Sequence, residues 1–217
     1  MNILQRYEQY VDSVIKWNQV MRAEPIDEHM PMQIVVTTEE IRETISAISE
    51  QDHTEILDGV ADVLVTAGYM AYLNGDSIEG VIWPSWSNSR IMDVLHTMES
   101  NAVVGLSFHD NIVSVVHWAT RQYSEDTVTN YIEAVLKSND SKFIIATDIP
   151  STELECYITS EVHAARNKYA GQWENIVAVK RELDNGEVFY VLRADNGTGK
   201  ILKPTSFKEP QEFLDQD

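Results

Sequence analysis

Residues 37–64 read TTEEIRETISAISEQDHTEILDGVADVL, and the periodicity of this stretch decides the fold class. At about 100° per residue, Glu39, Glu40 and Glu43 share one sector of a helix, and Ile41, Ile45 and Ile48 fall on the opposite side. Thr37 and Thr38, followed by acidic residues near the positive end of the helix dipole, predict a start there and a run to about Ser49. The polar stretch Ser49 to Thr54 breaks it. Thr54 then caps a second helix that runs to about Leu73, where Asn74 and Gly75 stop it. On this second helix Glu55, Asp58 and Asp62 are spaced i, i+3 and i+7, one narrow edge beside Val60, Val63, Leu64 and Ala67. Acidic edges on two sequence-adjacent helices can face each other.

Outward from this pair the pattern stays helical. Ile3, Leu4, Tyr7, Val11, Val14, Ile15 and Trp17 recur at intervals of three and four, which predicts an amphipathic helix from Ile3 to Val20. The loop after it holds Pro25 and Pro31. Gly75 to Trp86 reads as a loop punctuated by Gly75, Gly80 and Pro84. Helical patterns follow from about Ser89 to Met98 and from about Asp110 to Tyr123. Ser124 caps a sixth helix whose stripe is Val128, Tyr131, Ile132, Val135 and Leu136, ending near Ser138. Beyond Pro150 the texture becomes strand-like, with Ile176 to Arg181 and Val188 to Arg193 about the turn Asp184-Asn185-Gly186. The expected fold is mainly α: a helical bundle over 1–145, with an insertion at about 75–124, and a small β-containing extension over 146–217.

The chain has 217 residues, 43% of them hydrophobic, enough for a real core. Against 16 Lys and Arg stand 35 Asp and Glu, a formal charge of -19. Phosphate backbones and anionic membranes are repelled by such a field, so no nucleic-acid and no membrane partner is expected. One cysteine, Cys156, excludes an internal disulfide and a Cys-based zinc cluster. The N-terminus lacks a continuous apolar core of the signal-peptide kind, and no segment reaches the roughly 20 apolar residues of a membrane span. The expectation is a cytoplasmic protein.

A solvated acidic face usually carries Lys or Arg at i+4; here Arg42 is the one cation among the acidic positions, and it points away. Carboxylates clustered without a counter-charge repel one another unless a cation sits between them. Hard divalent ions take oxygen ligands from two elements together with water and substrate phosphates.

At these residues the chain resembles a known family. Glu39-Glu40-Ile-Arg-Glu43, followed by Glu55-Ile-Leu-Asp58-Gly-Val-Ala-Asp62, is similar to the paired signature of the all-α nucleoside triphosphate pyrophosphohydrolases, the MazG-like and phosphoribosyl-ATP pyrophosphohydrolase-like group. Ser138-Asn139-Asp-Ser141-Lys142 resembles the segment closing that family's last core helix. Gly199-Lys200-Ile-Leu-Lys203-Pro204 resembles the ending of many viral members. The resemblance implies a Mg²⁺-dependent enzyme, with Mn²⁺ as substitute, that converts a nucleoside triphosphate to monophosphate and pyrophosphate in the cytoplasm, that of the host for a chain of phage origin. It makes Glu39, Glu40 and Glu43 the water-activating group. With Glu55, Asp58 and Asp62 they form the metal-binding set, Asp62 standing behind the direct ligands. Asn139 and Lys142 become contacts to the triphosphate, Trp17 and Asn18 line the nucleotide pocket, and Lys200 and Lys203 join the substrate-binding set. It also implies assembly as a homodimer or homotetramer.

Other constellations carry less. Gly197-Thr-Gly199-Lys200 lacks the first glycine and the hydroxyl residue of a phosphate-binding loop. The six histidines make no metal motif. Cys156 has no activating neighbour, and Trp83, Trp86, Trp118 and Trp173 read as core or interface. The rival reading is a non-catalytic acidic protein that mimics nucleic-acid charge to bind a basic partner. Mimicry predicts a track of charge, and catalysis predicts convergence on one pocket.

Overall fold

The computed structural model describes residues 3–22, 28–79, 81, 90–104 and 108–214. The chain is mainly helical with a small sheet near its C-terminal end, the fold class expected. It divides into two compact units, one of residues 1–15 and 24–136, the other of 16–23 and 137–216.

The first unit holds α1 (Ile3–Met21) up to Ile15, α2 (His29–Glu50), α3 (His53–Leu73), α4 (Ile91–Val104), α5 (His109–Gln122) and α6 (Glu125–Asp140) up to Leu136. Every residue of α3 from Val63 to Met70 is buried, because its sequence is apolar nearly all round and can only sit in the centre. Its length and composition would also suit a membrane span, contrary to the sequence expectation, but most of that surface is buried inside this unit. Burial of side chains such as Leu64 and Met70 contributes about 1.5–3 kcal/mol each. The helix pair of the insertion belongs to this core: α4 packs on α2, and α5 packs on α3 and α4. α1 and α6 lie side by side, tied by Ile3 N–H to Glu125 at 2.9 Å and by Arg6 to Glu133 at 2.6 Å.

Helix boundaries differ from expectation in α2, α3 and α4. α2 begins at His29, not at Thr37 and Thr38, which sit in mid-helix with Thr37 buried. Pro31 does not prevent this, since the first-turn N–H groups have no intrahelical partner to lose. α3 is capped by Asp52 rather than Thr54; the Asp52 carboxylate accepts from the N–H groups of Thr54 and Glu55. α4 runs to Val104, beyond Met98. Ser124 does cap α6, accepting from the Thr127 N–H. The expectations for Pro25, Gly80, Pro84, Trp83, Trp86 and a helix start at Ser89 lie outside the described residues.

The second unit holds the ends of α1 and α6, β1 (Phe143–Ile145), α7 (Leu154–Lys168), β2 (Val177–Glu182), β3 (Val188–Arg193), β4 (Ile201–Leu202) and α8 (Gln211–Leu214). β1 starts ahead of the boundary expected at residue 145. All pairings are antiparallel, with β2 along one edge of β3 and β1 and β4 along the other. The β2–β3 hairpin closes through Gly186, whose φ of +83° suits only glycine. Alternation sends Phe189 and Val191 to a face shared with Val20, Met21 and Phe143, and Leu192 to a face shared with Ala165, Ile176 and Leu202. Arg181 and Arg193 donate to the carbonyls of Val20 and Met21, satisfying the open C-terminal end of α1. The helix α7 corrects the strand-like reading beyond Pro150. It buries only Glu161 and Ala165 fully, so it lacks the apolar stripe that periodicity detects.

Candidate functional site

α2 and α3 form an antiparallel hairpin whose register is set by contacts along its length. His29 Nδ1 meets the Tyr69 hydroxyl at 2.6 Å, and Gln33 donates to the Thr66 carbonyl at 2.7 Å. Nearer the turn, Gly59 lies against Thr44. This register places Glu39, Glu40 and Glu43 of α2 alongside Asp58 and Asp62 of α3, with Glu55 toward the turn.

The electrostatics record that convergence. Glu40 is half-buried and is pushed up to about 7, first by burial and then by the charges of Glu43, Glu39 and Asp58. Asp58, also half-buried, is raised by burial and by Glu55 and Glu43. Acidic residues from both helices therefore act on one another. Arg42 offers no relief, because it turns to Glu99 of α4 at 2.7 Å, as its helical position predicts. From α6, Tyr131 is pushed up to about 12 by burial and by Asp58, Glu55 and Asp62. Sequence periodicity assigned Tyr131 to the core stripe; only the fold brings it within reach of the charges of these carboxylates.

The donors are of one kind, oxygens of carboxylates, the chemistry a hard divalent ion selects. Among the described residues, no three His, Cys, Asp or Glu side chains stand close enough together to hold an ion as they are placed. Glu39, Glu43 and Glu55 are exposed, and their side chains can turn inward at a small entropic cost. The set therefore fits Mg²⁺ in donor chemistry, with the final geometry left to side-chain rotation.

In the second unit, three of the expected substrate residues meet. Trp17 Nε1 donates to the Asn139 carbonyl at 2.8 Å, and Lys142 Nζ donates to Asn139 Oδ1 at 2.7 Å. Lys142 also sits 5.6 Å from the Trp17 ring centre. The other three are engaged elsewhere. Asn18 is buried and accepts from Arg22 at 2.9 Å. Lys200 stacks over Trp173, and Lys203 pairs with Glu209 at 2.8 Å and covers the Phe207 ring. Ser138 and Ser141 of the same segment hold the backbone of Lys208, a structural task that the sequence did not disclose. His109 hydrogen-bonds Tyr7 within the helical core, and Cys156 is an exposed free thiol.

Comparison with protein-family models, with curated proteins and with solved structures gives no match. Fold and site together define a mainly helical protein with a small sheet, in which carboxylates from two adjoining helices gather on one edge.

Proposed function

We propose that this protein is a Mg²⁺-dependent nucleotide pyrophosphohydrolase that converts nucleoside triphosphates, deoxynucleotides included, to monophosphate and pyrophosphate. The observation that supports this reading best is the mutual effect of Glu40, Glu43, Asp58 and Glu55 across two helices, with Arg42 drawn away. A charge-mimicking surface would spread its acids along a track, and no such convergence would be needed.

Glu39, Glu40, Glu43, Glu55 and Asp58 would hold the metal, with Asp62 flanking them. When bound, the metal neutralises phosphate charge and lowers the pKa of an attacking water. Glu40 is the carboxylate best suited to accept the water proton, since burial and its neighbours raise its basicity toward neutral pH. Water adds across the anhydride between the α and β phosphates, that P–O bond breaks, and pyrophosphate leaves with the electron pair. Assembly into a homodimer or homotetramer belongs to the same proposal; Met32 and Val35, each 59% exposed on α2, give it an apolar contact.

The test is a panel of common NTPs and dNTPs with Mg²⁺, read by released pyrophosphate. Turnover of at least one triphosphate is expected, and no turnover with either Mg²⁺ or Mn²⁺ would refute the reading.

A further inference from the structure

The face of α7 that carries Glu161, Ala164, Ala165 and Lys168, spaced i, i+3, i+4 and i+7, meets the segment after β4, and a cavity of about 200 Å³ lies between them. Pro204 and Phe207 complete its apolar wall, and Lys203 lines it from the same segment. A buried carboxylate holds the two walls together. Glu161, only 4% exposed, accepts from the Thr205 N–H at 2.8 Å and from the Thr205 hydroxyl. Both of its oxygens are engaged in this way, so the walls are fixed before any ligand arrives.

In a chain of formal charge -19, this cavity is lined by two cations, Lys168 and Lys203, against the one engaged carboxylate. Lys203 Nζ lies 4.0 Å from the centre of the Phe207 ring, and Lys168 Nζ lies 5.3 Å from that of Tyr169. Lys203 also pairs with Glu209 at 2.8 Å, an exposed contact of the kind that contributes little and that an incoming anion can replace. An apolar cavity of about 150 Å³ takes a benzene ring, and drug-sized ligands need about 300 Å³ or more. At about 200 Å³ this one has room for one ring with a small acidic substituent and none for a nucleoside triphosphate. We propose that the cavity between α7 and residues 203–207 is a binding site for a small aromatic carboxylate, its ring against Ala164, Ala165, Pro204 and Phe207 and its charge paired with Lys168 and Lys203. The assignment is independent of the activity proposed above.

The probe is benzoate, titrated into the full-length protein at low ionic strength and followed by ligand-detected NMR, with benzamide as its uncharged counterpart. Saturable benzoate binding is expected, tighter than that of benzamide by at least about threefold, within what a part-exposed ion pair supplies. Lys168→Ala and Lys203→Ala should each weaken benzoate and leave benzamide unchanged. Ala164→Leu, which fills the cavity from a half-buried position, should abolish binding of both. Lys168→Ala, at an exposed position, carries the test should Ala164→Leu fail to fold. Absence of saturable benzoate binding overturns the proposal. Benzoate held equally well by Ala164→Leu sits elsewhere on the protein, which overturns it too. Equal affinity for benzamide, or wild-type benzoate affinity in both lysine variants, overturns the assignment of an anion and leaves only an apolar slot.

Discussion

Gly59 of α3 lies so close to Thr44 of α2 that a Cβ on Gly59 would sit 2.5 Å from the Thr44 hydroxyl oxygen. The contact lets the two helices approach at the point where Asp58 and Glu43 are the adjoining residues. Gly59→Ala would gain about 1 kcal/mol in helix propensity but force the helices apart, with a net destabilisation of about 1–3 kcal/mol expected. Thr44→Ala in the same chain should restore most of it. Among the described residues the Thr44 hydroxyl bonds only its own helix at the Glu40 carbonyl, so its removal alone should be mild. Denaturant unfolding of the four proteins measures the coupling, and purely additive effects would show that this contact does not set the register.

Removing charge at the acidic edge should move stability and activity in opposite directions. In chelator, Glu40→Gln and Asp58→Asn should raise the melting temperature, since each relieves repulsion in a half-buried group. Glu43→Gln and Asp58→Asn should abolish pyrophosphate release while the fold is kept. Glu79→Gln, on an exposed residue after α3, should leave activity unchanged. Retained turnover in both Glu43→Gln and Asp58→Asn would favour the charge-mimic reading.

Stability of the metal-free protein should fall between about pH 4.5 and 7. The Glu40 carboxyl moves from an ordinary 4.5 to about 7 in the folded state, so the native form binds its proton more tightly than the unfolded form. That contribution is complete below the unfolded value and is lost as pH rises through the folded one. Asp58 acts with the same sign. Melting curves at pH 5, 6, 7 and 8 should show a decline that Glu40→Gln flattens. Millimolar Mg²⁺ should stabilise the protein more at pH 8 than at pH 5, because ligands must lose their protons to bind. Equal Mg²⁺ shifts at both pH values would argue against these carboxylates as ligands.

Lys142→Ala should raise KM for nucleotide, or lower kcat/KM, by at least about tenfold, near 1.4 kcal/mol, with Mg²⁺ binding in the absence of nucleotide unchanged. Its ammonium group is already oriented by Asn139 and the Trp17 ring, which limits the entropy lost on meeting a phosphate. Wild-type kinetics would reduce the segment to a helix stop that anchors Lys208 through Ser138 and Ser141.

The sequence by itself determined the helical class and the two acidic edges, because an amphipathic period is written locally in residues such as Ile41, Ile45, Ile48 and Glu55, Asp58, Asp62. It also determined the β2–β3 hairpin, where a turn glycine and alternating side chains act within a few residues of each other. Tertiary structure alone decided where α2 begins, since burial of His29 and Gln33 against α3 outweighs the local start signal at Thr37 and Thr38. It decided that residues 154–168 are helical, because a helix with so little buried surface leaves almost no periodic trace. It alone brought Tyr131 within reach of the charges of Asp58, Glu55 and Asp62: they lie more than sixty residues apart, and sequence spacing cannot relate a phenol to charges that only the folded unit brings near it.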